Sequence, residues 1–208
     1  MTNGPGVTSI VLAGGKGKRF GRDKLSETIE GRTLLQRVVD SLSLVSKKIL
    51  VAVAPSQPRP DLSLTSVEVI VDLYPGKSAL GGIYTGLMAS HSFHNLAVAA
   101  DMPFLSIPLL RYMIEGAAGF DVVVPRINGE LEPLHALYSK GCLVPMQWQM
   151  ERGELRIRHF LDQMKVRYVE EPEIDRFDPE HLSFFNINTA ADLKKARALS
   201  QRLGGTGI

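Results

Sequence analysis

The sequence predicts an α/β fold: a mostly parallel sheet with helices on both faces. Three observations carry this. Short apolar runs of strand length alternate with segments of helical periodicity. The first run stops in a glycine-rich basic loop, and two later runs stop in an aspartate. Ligands of such sheets bind beyond the strand C-termini, so these polar features would share one edge.

The first predicted strand, Ile10 to Ala13, is a short apolar run ending at Gly14 and Gly15. Leu25 to Arg32 reads as a polar connection. Thr33 is placed to cap a helix whose apolar face is Leu34, Leu35, Val38, Val39 and Leu42. Lys48 to Ala54 is a buried strand stopped by Pro55, followed by a Pro- and Ser-rich surface segment to Ser66. Val67 to Val71 is a third strand, ending in Asp72. A helix with Leu80, Ile83 and Leu87 on one side precedes a fourth strand, Asn95 to Ala100, which ends in Asp101. Ser106 caps a helix with Leu109, Leu110, Met113 and Ala117 as its core face. Asp121 to Val124 is a short strand. In Glu132 to Tyr138, Leu134, Ala136 and Tyr138 alternate with His135 and Leu137, which predicts a strand with one face in the core and His135 on the other. Residues 143–151 and 157–164 read as helices, and Val166 to Val169 as a last strand. Thr189 and Asp192 form a capping-box-like pair before a final helix with Leu193, Ala196, Leu199 and Leu203, ended by Gly204.

With 208 residues, 44% hydrophobic and 22% charged, the chain fits one globular domain. The net charge of +2 gives no general attraction to nucleic acid or membranes, and the aromatics are too scattered for a base-stacking platform. Cys142 is the only cysteine, so an intrachain disulfide is impossible and a reducing cytoplasm fits; it reads as a small buried residue rather than a nucleophile. The N-terminus lacks a signal-peptide core, and no run reaches membrane-spanning length.

The chemistry concentrates in residues 9–24. Gly14, Gly15, Gly17 and Gly21 are interleaved with Lys16, Lys18, Arg19, Arg22 and Lys24. Glycines let backbone amides approach a ligand, aligned amides make an anion cradle, and cations suit phosphates. The loop matches neither G-x-x-x-x-G-K-[S/T] nor G-x-G-x-x-G, so it reads as a polyphosphate cradle or a solvated basic turn. Asp101, at a strand tip beside it, is placed to hold Mg²⁺ or to cap a turn. Asp72 would bind a base or ribose, or hold the turn at Pro75-Gly76. Lys24 and Arg19 would sit over phosphates or in solvent. His135 reads as structural before catalytic. No Cys/His cluster with metal spacing and no G-x-S-x-G elbow occur.

In order, Leu-Ala-Gly-Gly-Lys-Gly-Lys-Arg-Phe-Gly-Arg-Asp-Lys24, Asp72 to Ile83, Asp101-Met-Pro-Phe-Leu105, Glu132-Pro-Leu-His-Ala-Leu-Tyr138 and Phe185-Asn-Ile-Asn-Thr189 resemble the molybdenum cofactor guanylyltransferases. The first motif resembles the signature L-A-G-G-x-S-x-R-M-G-x-D-K of nucleotidyltransferases with a Rossmann-like, GT-A-like fold. The likeness runs from about residue 8 to the final helix. The chain departs from the pattern at Gly17 (usually Ser), Phe20 (usually Met), Ser78-Ala79 (often Gly-Pro) and Ala190-Ala191 (often Pro-Glu), and Val51 to Ala54 lacks an Asn that some members use near the base.

The resemblance implies transfer of GMP from GTP to the phosphate of molybdopterin, releasing pyrophosphate, in a cytoplasmic enzyme using Mg²⁺. Leu12, Ala13, Gly14, Gly15, Lys24, Asp72, Gly82 and Asp101 would bind the nucleotide. Lys24, Asp101 and Arg19 would be catalytic, Asp101 would hold the metal, and Asn186 and Asn188 would bind the acceptor. It divides one domain into a nucleotide half, about 8–105, and an acceptor half, about 106–203. Implied partners are GTP, molybdopterin, other molybdenum cofactor biosynthesis proteins and client molybdoenzymes, with no nucleic acid or membrane. The alternatives are CMP transfer to molybdopterin, nucleotide transfer to a sugar phosphate, or a non-catalytic GTP-binding adaptor in cofactor delivery.

Overall fold

A computed structural model describes residues 6–14, 26–60, 62 and 66–205. Its strands are β1 (Thr8–Leu12), β2 (Thr28–Ile29), β3 (Arg32–Thr33), β4 (Lys48–Val53), β5 (Val67–Val71), β6 (His94–Ala99), β7 (Val122–Ile127), β8 (Glu130–Leu131), β9 (His135–Ser139) and β10 (Val166–Glu170). Its helices are α1 (Leu34–Ser43), α2 (Ser78–Ala89), α3 (Ile107–Glu115), α4 (Leu143–Glu151), α5 (Arg158–Leu161), α6 (Glu171–Ile174) and α7 (Ala190–Gly205). The main sheet is eight-stranded, in the order β10-β7-β9-β6-β1-β4-β5, with β8 on β7. Pairing is parallel except where β9 meets β6 and β7, and where β8 meets β7.

β1 lies inside the sheet between β4 and β6, with Leu12 opposite Ala52 of β4 and Ala99 of β6. Its alternate residues serve two cores. Val11 packs with Val38, Leu109 and Leu137, while Ile10 packs with Ile83, Tyr138 and Met146. Because both faces are covered, β9 is buried along its whole length. His135 is therefore 0% exposed, a correction to the expected outward face. Alternation in that strand sorts residues between two cores, not between core and water.

The helix ends follow their caps. Thr33 Oγ1 accepts the Gln36 amide at 3.1 Å, and Ser106 Oγ accepts the Leu109 amide at 3.3 Å. Thr189 Oγ1 accepts the Asp192 amide at 3.1 Å, while Asp192 Oδ2 accepts the Thr189 amide at 2.8 Å, closing the expected box. α7 runs through Gly205, one residue beyond the expected stop, and Leu203 is 43% exposed instead of in the core. The expected helix at 157–164 shrinks to the one-turn α5, and the connection at 25–32 contains β2 and enters β3.

α2 lies unusually close to the sheet. A Cβ on Gly86 would come within 2.4 Å of Ile10 Cγ2, one on Gly82 within 2.8 Å of Leu12 Cδ2, and one on Gly81 within 2.8 Å of the Tyr74 carbonyl. Gly82 and Gly86 let the helix backbone seat on β1, and Gly81 lets its first turn fold against the Tyr74 loop.

Candidate active site

The C-terminal edge of the sheet is stitched into a continuous rim. The Ala13 amide donates to the Ala52 carbonyl at 2.9 Å, the Asp72 amide to Val53 at 2.8 Å, and the Ala100 amide to Leu12 at 3.1 Å. β9, reversed, joins the rim through its entrance: Leu134 accepts the Ala99 amide at 3.1 Å. The order along the rim is thus Asp72, Ala54, Gly14, Asp101, Leu134. Gly14 passes close to its neighbour, since a Cβ there would lie 3.2 Å from the Ala54 amide nitrogen.

Asp72 and Asp101 stand on strands three steps apart, about 14 Å at the usual inter-strand spacing of about 4.8 Å. At that separation they cannot share one ion. Asp72 Oδ1 accepts the Tyr74 amide at 2.9 Å and the Thr85 hydroxyl at 3.0 Å, while Thr85 Oγ1 accepts the Leu73 amide at 3.1 Å. That oxygen holds the turn, and Oδ2 accepts nothing from the described residues.

The Asp101 carbonyl accepts the amide of Ile187 at 3.1 Å. Ile187 is fully buried against Phe104, Leu193 and Ala196. The flanking Asn186 is half-buried and Asn188 is exposed. Asn186 Nδ2 donates to the Phe184 carbonyl at 3.2 Å, and the Asn188 amide donates to Asp192 at 3.0 Å. A segment near the end of the chain is thereby clamped beside the tip of β6. Gly82 touches Leu12, so its contribution to the rim runs through packing. Gly15, Lys16, Lys18, Arg19 and Lys24 lie outside the described residues.

His135 packs its ring on Phe184 with centroids 4.8 Å apart, and neither ring nitrogen meets a partner among the described residues. Burial lowers it to about 4, so the imidazole is neutral at pH 7. Burial likewise pushes the Cys142 thiol up to about 12, as expected for a packed, inert cysteine. Glu132, half-buried at the entrance to β9, is raised by desolvation and by the nearby Glu130.

Two features were missed in the sequence. Ser78 opens α2 with φ +55°, a left-handed conformation that favours glycine, which explains why the resemblance pattern often has Gly there. A cavity of about 200 Å³ opens beside Ala13, walled by Val53, Gln57, Pro58, Arg59 and Pro60. The run Pro-Ser-Gln-Pro-Arg-Pro was the available signal, since polar side chains between prolines are held on a stiff wall.

A mostly parallel sheet covered by helices, with Gly14 just beyond β1 and Asp72 and Asp101 three strands apart on the same C-terminal edge, is an α/β architecture with its polar groups gathered at one rim. The model of the MobA-like NTP transferase domain matches residues 9–168, and the chain belongs to that family. A probable molybdenum cofactor guanylyltransferase from Pelotomaculum thermopropionicum is 33% identical over 94% of this chain and 94% of its own length. The molybdenum cofactor guanylyltransferase of Desulfosudis oleivorans is 34% identical over 92% of this chain and 95% of its own. The crystal structure of molybdopterin-guanine dinucleotide biosynthesis protein A from Archaeoglobus fulgidus superposes with a TM-score of 0.81 at 28% identity, covering 94% and 100% of the two chains. At 18% identity and a TM-score of 0.69, a Thermus thermophilus cytidylyltransferase shares the fold, over 92% of this chain and 98% of its own.

Proposed function

We propose that this nucleotidyltransferase moves GMP from GTP to the phosphate of molybdopterin, yielding the guanine dinucleotide form and pyrophosphate. The observation that supports the reading is the backbone bond from Ile187 to the Asp101 carbonyl, which holds residues 186–188 next to the end of β6. We assign Asn186 and Asn188 to the acceptor and Asp101 to the nucleotide on that basis.

The acceptor is a phosphate monoester, mostly ionised at pH 7 because its second pKa is about 6. One of its oxygens attacks the α-phosphorus; that P–O bond forms as the bond to the β-phosphate oxygen breaks, and pyrophosphate leaves with the electron pair. No general base is needed, in keeping with a neutral His135 packed on Phe184. The obstacle is the approach of one anion to another. The Gly14 and Gly15 amides, Lys24 and Arg19 offset that repulsion. Leu12 and Ala13 hold the nucleotide along β1, Asp72 its guanosine part and Asn186 and Asn188 the acceptor, with Gly82 setting the height of α2 over Leu12.

Asp101 fits a divalent ion as a hard oxygen donor at the rim. Mg²⁺ is usually held by one or two carboxylates together with substrate phosphates and water, so a single rim carboxylate suits it. When bound, the ion neutralises charge on the transferring phosphates. We assign about 8–105 to the nucleotide and about 106–203 to the acceptor, and place the reaction in the cytoplasm, between other cofactor-biosynthesis proteins and client molybdoenzymes. No helix among the described residues is long and apolar enough to cross a membrane.

Pyrophosphate release with molybdopterin and either GTP or CTP tests the reading. Release with GTP and little with CTP is expected. Release with CTP alone, or GTP binding without release, overturns it.

A further inference from the structure

We propose that Arg197 is a positioning residue that holds the exit of the nucleotide segment, an inference that rests on the guanylyl-transfer reading. Arg19 and Lys24 lie in the chain between two described ends, Gly14 and Ser26.

The two ends are fastened differently. The entrance belongs to the main sheet, where the Gln57 carboxamide bridges the Ala13 carbonyl at 3.1 Å and the Ala54 amide at 3.2 Å. The exit leads into β2 and β3, a ribbon of two residues per strand that stands apart from that sheet. A two-stranded ribbon is marginal alone, so its place depends on what it touches. Ile29 supplies one contact, fully buried with Leu34, Phe104, Ile187, Leu193 and Ala196. Arg197 of α7 supplies another. Its Nε and Nη2 donate to the Thr28 carbonyl at 3.1 and 3.0 Å, and Nη2 lies 3.7 Å from the Glu27 carboxylate. The Leu34 amide donates to the Glu27 carbonyl at 3.0 Å, so both residues of the exit are tied.

The Arg197 side chain is 50% exposed, and an ion pair so exposed contributes little to stability. Its effect is on placement. Lys24 stands four residues before Thr28, so their Cα atoms can be no more than about 14 Å apart. A chain tethered at both ends has fewer arrangements to lose when it closes on a triphosphate, and binds it more tightly for that reason. The forked guanidinium suits the task, since two of its donors converge on one carbonyl. α7 starts at Ala190, just after the asparagine segment, and reaches Arg197 about 10 Å further on. The helix thereby links the acceptor side of the rim to the exit of the nucleotide segment.

The test compares wild type with Arg197→Met, Arg197→Lys and Arg202→Met, the last removing an exposed ion pair with Glu180 from the same helix. Arg197→Met should raise KM for GTP about 10-fold, with kcat and KM for molybdopterin changed by less than about 2-fold. Arg197→Lys keeps one donor for the Thr28 carbonyl and should raise it by less than about 3-fold. Arg202→Met should leave it unchanged. All melting temperatures should stay within about 4 °C of wild type. An unchanged KM for GTP in Arg197→Met overturns the proposal. Equal rises for both substrates, an equal rise in Arg202→Met, or a larger fall in melting temperature in both Arg197 variants mean general support from α7, and overturn it too. If wild type makes no product from GTP and molybdopterin, the transfer reading fails, and equilibrium binding of GTP to the same proteins still decides the role of Arg197. Weaker binding by Arg197→Met with Arg202→Met unchanged supports it; equal affinities, or no binding by wild type, overturn it.

Discussion

Ile187 donates its backbone amide to the carbonyl of Asp101 at 3.1 Å while its side chain fills the space between Phe104 and Leu193. One residue thus fixes the height of a flanking asparagine pair against the end of β6. Ile187→Ala should cost about 2–5 kcal/mol of stability. Ile187→Val should cost only about 0.5–1.5 kcal/mol and raise KM for molybdopterin more than for GTP. Steady-state kinetics with each substrate varied in turn check this; equal rises in both KM values would separate the segment from the acceptor.

Asp101→Ala and Lys24→Ala should each abolish most pyrophosphate release, with a loss of about 100-fold or more in kcat. Asp101 is half-buried at the rim, outside the main cores, so its substitution should leave the circular dichroism spectrum and the melting temperature near those of wild type. Turnover near that of wild type in either variant would remove that residue from the machinery.

Acid should loosen the fold through His135. In the folded chain the ring titrates near 4, against about 6.5 when unfolded, so between those values the unfolded state binds more protons. The contribution is intact above pH 6.5 and is lost as the pH falls toward 4, reaching about 3 kcal/mol at the lower end. Urea titrations from pH 7.5 to 4.5 should show this slope in wild type and a shallower one in His135→Phe. Parallel curves would show that His135 does not set the acid limb.

Ser78 holds φ +55° at the first turn of α2. Ser78→Gly should relieve about 1 kcal/mol of backbone strain, partly offset by greater freedom in the unfolded chain. Ser78→Val should destabilise, because a β-branched side chain tolerates that conformation worse. The order of melting temperatures, Gly at or above Ser and both above Val, is the readout.

The α2 glycines should differ in tolerance. At Gly86 a methyl meets three Ile10 atoms, at 2.4, 2.8 and 2.8 Å, whereas at Gly82 only the end of Leu12 is so near. Gly86→Ala should cost about 1–3 kcal/mol and Gly82→Ala less, because Leu12 Cδ2 can swing aside. Pairing Gly82→Ala with Leu12→Val should recover most of that loss. Chemical denaturation of the three variants measures it.

The helix starts are legible in the sequence because local physics decides them. Thr33, Ser106 and Thr189 cap the helices they precede. The apolar runs became the parallel strands, and both aspartates emerged at strand tips. What the sequence hid was non-local or very short. β2, β3 and β8 are two residues each, too brief for any periodicity. The burial of His135 depended on helices covering both faces of β9. The Ile187–Asp101 bond joins distant parts of the chain with no side-chain signature, since both partners are backbone groups. Gln57 sat in a segment read as surface, and only the meeting of β1 and β4 tips turned its amide toward two backbone groups.

β9 runs against its neighbours, and this has a consequence for how the protein can diversify. β7 leaves the sheet at the same rim where β9 enters it, so the connection between them, with the small β8 turn at Asn128 and Gly129, overhangs the strand tips. Residues inserted there would lengthen a surface loop above the rim while leaving both cores as they are. An engineer wishing to change the acceptor, or a lineage under selection to do so, has at this hairpin a place to add specificity at low risk to folding.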